Sequence, residues 1–237
     1  MRVALDTNPL FVSRAGVARY VDGLRRGLRS SAGPGVDVTE LAWAVENFGY
    51  AQPGRALRTA WRELAWAPWA APARMRQADV VHHTYGPIMP LVKGPRHVVT
   101  LCDLALLRHP ERFRRWHRDA GVRRLRRVAA ADRVICISRF TADEAMALLG
   151  LPAERIDVVP LAATLAEREE AVDGLPEDFY LFVGSLEPGK NLAFLRELWL
   201  SAGPALPPLV IVGARWAGVA REGPPPVRPR GPGPIRC

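Results

Sequence analysis

The chain has 237 residues, 49% of them hydrophobic, which is enough for one or two domains with buried cores. Its net charge of +9 favours an anionic partner. Cys102, Cys136 and Cys237 lie far apart and exclude a disulfide framework or a paired-cysteine zinc site, so a cytosolic setting is expected. No signal peptide and no apolar run of the ~20 residues that span a bilayer is recognised, so any membrane contact is expected to be peripheral.

The N-terminal region predicts a strand at 3–5, a loop at 13–17 and a helix whose apolar residues recur from position 17 to 28. Ligands of open α/β sheets bind beyond the carboxyl ends of strands, so this loop is well placed for one. Gly16 would let backbone N–H groups approach a substrate phosphate at the helix N-terminus, and a plain turn glycine is an equally good explanation. The chain has no G-x-G-x-x-G, so a dinucleotide site is not supported.

Residues 41–75 contain four tryptophans, Trp43, Trp61, Trp66 and Trp69, in a stretch without a clear period. They could line an acceptor groove or a membrane-facing surface. Ordinary core packing is at least as good an interpretation, because aromatic residues dominate protein cores.

Strand and helix patterns then alternate. Strands are predicted at 79–82, 97–101, 133–137 and 156–159, with a helix at 113–131 and a second helix that Thr141 and Glu144 open as a capping box. The alternation predicts an α/β fold with a parallel sheet and right-handed crossovers. The acidic segment that follows, at 162–178, is interpreted as a linker or as a helix that leads into one.

The pattern restarts with a strand at 179–183, a helix at 191–200 and a strand at 209–212. The last fifteen residues contain six prolines, so this tail is expected to be disordered.

Several polar residues have structural and functional interpretations. Asp103 follows a predicted strand and could bind a substrate hydroxyl or cap the next turn. His82, His83, His97 and His109 lack metal spacing and are interpreted as structural. The ten arginines of 108–133 could lie on an anionic membrane or form a solvated face, and no nucleic-acid signature accompanies them.

The loop 183–191 carries the strongest chemical argument. Backbone N–H groups after Gly184, the Ser185 hydroxyl and the Lys190 ammonium could stabilise the charge of a departing nucleoside diphosphate. An ATPase is a weaker interpretation, because Asn191 stands where a P-loop has its Mg²⁺-binding hydroxyl.

Taken together, these segments resemble a family 4 glycosyltransferase of the GT-B fold. The resemblance covers residues 1 to about 216 and rests on the order and spacing of six segments, at 16–20, 79–82, 99–104, 131–140, 158–162 and 182–191. It implies an N-terminal Rossmann-like acceptor domain with a parallel sheet at 1–165. A linker and an incomplete second Rossmann-like, donor-binding domain at 166–217 are expected to follow, with a disordered tail at 218–237.

The resemblance also implies an activity and a site. The family transfers a sugar, with retention of configuration, from a nucleotide-diphosphate sugar to an acceptor, here expected to be a glycan or a lipid-linked molecule, without a metal or other cofactor. Asp103 and Lys190 are then the candidate catalytic residues. The candidate substrate-binding residues are Gly16, Ser138, Gly184, Ser185 and Lys190, with Ser138 and Phe140 ending a strand that faces the cleft.

Two departures from the family pattern shape the expectation. Cys102 stands where the family usually has a histidine, and no Glu-x7-Glu motif follows the 183–191 loop. We therefore expect a truncated donor domain with weak or absent activity, in a cytoplasmic protein, peripheral on the inner face of the membrane, that serves cell-envelope polysaccharide synthesis. A non-catalytic module for a membrane surface or an acceptor is the alternative, and a sugar-nucleotide epimerase is less well supported.

Overall fold

The computed structural model of the protein describes residues 1–13, 15–47, 53–86, 89–163, 174–186, 188–203, 206–213 and 235–236. The chain forms two compact units. Unit 1 comprises Met1–Arg108 and Asp119–Ala162, and unit 2 comprises His109–Arg118 and Ala163–Cys237. The domain boundary expected at residue 165 and nearly all of the expected tail at 218–237 lie outside the described residues and stay predictions.

Unit 1 is built on a six-stranded sheet in which every neighbouring pair is parallel. In chain order its strands are β1 (Arg2–Asp6), β2 (Asp37–Leu41), β3 (Val80–His83), β4 (Arg96–Leu101), β5 (Arg133–Cys136) and β6 (Ile156–Val158). Their spatial order is β2-β1-β3-β4-β5-β6. The α/β prediction is confirmed, and the predicted strands agree to within one or two residues. The polar edge strand β2 was not predicted.

Helices lie in the connections between all consecutive strands except β3 and β4, which are joined by residues 84–95, where the described part of the chain contains no helix. The connecting helices are α1 (Pro9–Val12), α2 (Gly16–Ser31), α3 (Arg55–Trp61), α4 (Ala71–Met75), α5 (Ala105–Arg108), α6 (Arg115–Arg127) and α7 (Arg139–Leu149). One core cluster joins β4 and β5 to α6 and α7 through buried residues such as Val99, Val134 and Ala145. A second joins β1 and β3 to the 55–75 segment.

The 55–75 segment is one continuous helix with an unusual centre. A π-helix, Arg62–Ala70, connects α3 to α4. Trp66 is buried in the core, and Trp43 packs against the same cluster. Trp61 and Trp69 are exposed. Core packing therefore accounts for two of the four tryptophans and leaves the other two on the surface.

The arginine-rich segment is helical over a shorter range than the expected 113–131. A 3₁₀ turn, Pro110–Arg112, precedes α6, and a second, Val128–Ala130, follows it. Leu125 and Val128 are buried in unit 1. Within the described part of the chain, no helix is long and apolar enough to cross a bilayer.

The predicted start of α7 is wrong. Ser138 is its N-cap, and the Ser138 Oγ accepts a hydrogen bond from the Thr141 backbone N at 3.1 Å. Glu144 is buried and forms an ion pair with Arg108 at 2.7 Å, so it does not close a capping box at Thr141. The predicted end is confirmed, because Gly150 terminates the helix in the left-handed region at φ 65°.

Unit 2 contains a small parallel sheet in the order β7 (Tyr180–Val183), β8 (Leu209–Val212) and β9 (Ile235–Arg236). Helix α8 (Leu192–Ala202) covers it through Trp199, whose Nε1 donates to the Pro207 carbonyl at 2.9 Å. Trp199 packs with Leu209 and Ile211 as the core of this unit. The predicted strands and helix of this region are confirmed to within two residues.

Candidate functional site

The carboxyl ends of the parallel strands of unit 1 collect polar residues at one edge of the sheet. β1 ends in Asp6, β3 runs into Thr84, and β4 runs into Asp103. The Thr84 hydroxyl donates to the Asp6 carbonyl at 2.7 Å, which ties two of these strand ends together. This is the edge at which open α/β sheets bind ligands.

Three side chains from different elements form a network behind this edge. The Thr100 Oγ1 lies 2.9 Å from the Tyr20 hydroxyl and 2.9 Å from the His82 Nε2. Burial lowers the pKa of His82 to about 4, so the ring is neutral at pH 7. Burial also raises the pKa of Tyr20, and its hydrogen bond to Thr100 opposes this rise. The network fixes α2 against β4 with neutral groups.

Asp6 is a second feature that the sequence did not reveal. Its Oδ1 accepts from the Asn8 backbone N at 3.0 Å and from the Asn8 Nδ2 at 2.8 Å. Burial raises the pKa of Asp6 to about 6, and the two bonds from Asn8 partly oppose that rise. The carboxylate shapes the turn from β1 into α1, on which the approach to Gly16 depends.

Gly16 is the first residue of α2, and it is exposed. A Cβ placed on it would meet nothing within 4 Å, so the backbone is open on this side. The geometry therefore suits either a ligand at the helix N-terminus or an unoccupied turn. Arg14, earlier in the same loop, lies outside the described residues.

Asp103 has the local role that was one of its two interpretations. Its Oδ1 accepts from the Ala105 backbone N at 3.0 Å and so opens α5. The residue is nevertheless exposed. Beside it, burial and then the Asp103 charge raise the pKa of Cys102 to about 11. The Cys102 side chain is thus a protonated thiol at neutral pH and a poor nucleophile.

Ser138 caps α7 rather than ending a strand, since β5 stops at Cys136. Its Oγ also lies 3.0 Å from the Thr141 Oγ1, and that hydroxyl donates to the Cys102 carbonyl at 3.3 Å. Phe140 lies in the first turn of α7 and is exposed. The cap thus links the ends of β4 and β5, next to Asp103.

In unit 2, the residues of the 183–191 loop are brought together as the sequence suggested. β7 ends at Val183, and the Gly184 N donates to the Val212 carbonyl at 3.0 Å. A Cβ on Gly184 would lie 3.9 Å from the Lys190 Cγ, so the lysine stem packs beside this glycine. Lys190 closes a 3₁₀ turn and is exposed. Ser185 is half-buried in the same loop, and Glu187 lies outside the described residues.

Two residues near this loop were not predicted. A Cβ on Gly213 would collide with the Gly184 carbonyl, so the ends of β7 and β8 meet with no room for a side chain. The Arg112 guanidinium lies 3.4 Å from the position of a Cβ on Gly189 and adds a second cation to the loop. Tight backbone packing and two cations suit a phosphate-bearing ligand.

The histidines do not form a metal centre. The His83 Nε2 lies 3.1 Å from the His97 Nδ1, and the His97 Nε2 contacts the backbone of Val92. His109 pairs with Glu111 at 3.3 Å. Across the described ranges, no group of three or more His, Cys, Asp or Glu residues could hold a metal ion.

Comparison with known proteins gives one family match. The model of Glycosyltransferase Family 4 matches residues 14–167, well over half of the chain. No curated protein matches. Among solved structures, a lipopolysaccharide outer core galactosyltransferase, WaaB in its apo form, is similar at 14% identity and a TM-score of 0.45. That similarity covers 90% of this chain and 61% of the other, so the chain spans less than two thirds of that protein. Together with the two parallel sheets, the family match confirms the GT-B-type fold, and the chain belongs to Glycosyltransferase Family 4.

Proposed function

We propose that this protein is a retaining glycosyltransferase that moves a sugar from a nucleotide-diphosphate sugar to a glycan or a lipid-linked acceptor. In that reaction the bond from the sugar C1 to the phosphate oxygen breaks, and the nucleoside diphosphate leaves with the electron pair. A bond from C1 to an acceptor oxygen forms, and the acceptor hydroxyl passes its proton to the departing diphosphate. The single observation that carries the proposal is the packing of Lys190 beside Gly184 at the end of β7.

The chemistry required of unit 2 is stabilisation of the departing diphosphate. Negative charge develops on that group as the C1–O bond breaks, and preorganised donors lower the barrier most effectively. We assign to this role the backbone N–H groups that follow Gly184, the Ser185 hydroxyl and the exposed Lys190 ammonium. No metal or other cofactor enters this proposal, because the lysine supplies the positive charge.

The chemistry required of unit 1 is binding of the acceptor and the donor phosphate. We assign the phosphate to the N-terminus of α2 at Gly16, because the first backbone N–H groups of a helix have no acceptor within it. Asp103 is assigned to an acceptor hydroxyl, since its carboxylate is exposed at the end of β4. Ser138 lies at the end of β5 and completes this polar edge. Its Oγ already accepts from the Thr141 backbone N and pairs with the Thr141 hydroxyl, so the proposal adds a third hydrogen bond, with substrate.

The location proposed for this activity is the cytoplasmic side of a membrane, where lipid-linked acceptors for envelope polysaccharides occur. The charge of +9 and the arginines of α6 favour an anionic lipid surface. Nucleic acid is not proposed as a partner, because no recognition motif accompanies the charge.

A lysine comparison tests the proposal. The chain has only two lysines, so Lys93→Ala in unit 1 is a matched control for Lys190→Ala. We expect turnover of nucleotide-diphosphate sugars to be weak, and we expect Lys190→Ala to lower the rate roughly a hundredfold while Lys93→Ala leaves it unchanged. Calorimetric titration with nucleoside diphosphates measures the same contact without turnover. Equal rates and affinities for the two variants would remove Lys190 from the site, whereas acceptor binding without any diphosphate binding would favour the non-catalytic module.

A further inference from the structure

The outer side of the 55–75 helix carries an unusual surface, which we call the apolar stripe. It consists of Leu57, Trp61, Leu64 and Trp69, whose exposed fractions are 75%, 62%, 74% and 77%. Single exposed apolar residues are common, but four large ones at successive turns of one helix form a contiguous patch. Such patches on a soluble fold mark an interaction surface.

The opposite side of the same helix is already used by the core. Trp66, Ala67, Ala71 and Met75 are buried against unit 1. The apolar stripe is therefore not needed for packing within unit 1, because the helix is anchored to the core through its other side. Its large side chains stand on the exposed face of a helix that the core holds in place.

The charges around the stripe are almost all positive. Residues 53–77 contain five arginines and one acidic residue, Glu63. Glu63 is neutralised by ion pairs with Arg62 and with Arg124 of α6. Arg74 and Arg76, at the end of the helix, are exposed and have no acidic partner in the described part of unit 1.

The ion pair to Arg124 also brings the basic helix α6 next to the stripe. Arg127 lies one turn further along the same face of α6, and Arg123 and Arg126 are exposed beside it. None of these three has an acidic partner among the residues that the structure describes. The result is an apolar, tryptophan-bearing stripe within an arginine-rich surface.

From this arrangement we infer that the apolar stripe docks the protein onto an anionic lipid bilayer. Tryptophan prefers the boundary between headgroups and acyl chains, and arginines bind anionic headgroups. A bilayer accepts an exposed apolar helix face without needing a complementary groove. This inference rests on the membrane location in the proposed function, and it names the surface that makes the contact.

Vesicle flotation of the full chain tests the inference. We expect binding to vesicles of phosphatidylcholine with one third phosphatidylglycerol, weaker binding at high salt, and little binding to phosphatidylcholine alone. Trp61→Ala/Trp69→Ala should raise the apparent Kd at least tenfold, since each ring loses its burial in lipid. Phe140→Ala removes an aromatic that is 66% exposed elsewhere on unit 1 and should leave the Kd unchanged.

Two further measurements make the outcomes decisive. Brominated phosphatidylglycerol should quench the tryptophan fluorescence of the unaltered protein, which requires no variant to fold. Arg74→Glu/Arg76→Glu should weaken binding and reduce its salt dependence. Light scattering would reveal a dimer that Trp61→Ala/Trp69→Ala dissociates. Such a dimer without vesicle binding would overturn the inference in favour of a second copy of the chain.

The remaining outcomes separate this inference from the proposed function. Vesicle binding that Trp61→Ala/Trp69→Ala leaves intact would reject the stripe but keep the membrane location. Absence of vesicle binding would reject both. Neither result affects diphosphate binding by Lys190, because flotation uses no donor or acceptor.

Discussion

Acidification from pH 7 to pH 5 should destabilise unit 1 through two buried histidines. Burial, and then the neighbouring His97 and His82 rings, lower the pKa of His83 to about 3, while burial lowers that of His82 to about 4. In the unfolded chain both rings take up a proton near the ordinary pKa of about 6.5. Stability is therefore present at neutral pH and is lost as the pH falls through about 6.5 towards 4.

The magnitude follows from these pKa values. At pH 5 each histidine favours the unfolded state by about 2 kcal/mol. Asp6 acts in the opposite direction, because burial raises its pKa to about 6 and the folded state takes up its proton first. Between pH 7 and pH 5, protonation of Asp6 stabilises the folded state by about 1 kcal/mol. The net loss of stability expected between pH 7 and pH 5 is about 2 to 3 kcal/mol.

Hydrogen exchange of peptides from β3 and β4 measures this loss within unit 1, independently of unit 2. His83→Gln removes one titrating ring but keeps a polar group near the His97 Nδ1, which lies 3.1 Å from the native ring. In His83→Gln the loss of folding stability between pH 7 and pH 5 should then fall below about 1 kcal/mol. His109→Gln, on the surface of unit 2, is the matched control and should behave like the unaltered chain. If His83→Gln and the control lost the same stability between pH 7 and pH 5, the attribution of this loss to the buried His83 would be refuted.

Two further substitutions test the local geometry of each unit. Gly213→Ala drives a Cβ into the Gly184 carbonyl and should cost about 1 to 3 kcal/mol, measured as faster hydrogen exchange in β7 and β8. Gly27 lies in α2 with open space around it, so Gly27→Ala should not destabilise the protein. Equal stability of Gly213→Ala and Gly27→Ala would show that the ends of β7 and β8 are not in contact. Ser138→Ala removes the cap of α7 and should lower stability by about 1 kcal/mol, measured by urea unfolding. Ser138→Thr keeps a capping hydroxyl and should restore it, and failure to do so would contradict the cap.

The sequence predicted correctly those helices and strands whose ends are set by residues adjacent to them in the chain. The strand over 209–212 agrees with β8 at both ends, since a short run of β-branched and leucine residues lies between prolines and a glycine. The start of α7 was misplaced because Ser138 and Thr141 are both good caps. In the structure Ser138 caps the helix, and Glu144, which a capping box at Thr141 would require, pairs with Arg108 instead.

The candidate site likewise contains some residues that are close in the sequence and others that only the tertiary fold brings together. Gly184 and Lys190 lie six residues apart, so a loop prediction could place them together, and the structure does so. Tyr20, His82 and Thr100 meet only because β3 and β4 pair in a particular register. Tyr20 and Thr100 are separated by 80 residues, and no local pattern marks such a contact. The functional roles assigned to the candidate site residues all stay predictions, for Gly16, Asp103, Ser138, Gly184, Ser185 and Lys190 alike.

The tryptophan segment resisted interpretation because its period changes in the middle. In an α-helix, residues three apart share a face, so Trp66 and Trp69 would have similar surroundings. In the π-helix the backbone N–H bonds five residues back, as Ala71 does to the Trp66 carbonyl. Pro68 lacks an N–H, and its ring would clash with the Leu64 carbonyl in a regular turn, which favours the wider one.

The wider turn has a functional consequence for this helix. It carries Trp66 into the core while Trp69 aligns with Leu64 on the outside, five residues apart. A regular helix would place Trp69 closer to the side of Trp66 and would divide the apolar stripe. Because π-turns are rare and are frequent at functional sites, the turn is consistent with an interaction role for the apolar stripe. The vesicle experiment therefore tests both the stripe and the reason for the irregular helix that displays it.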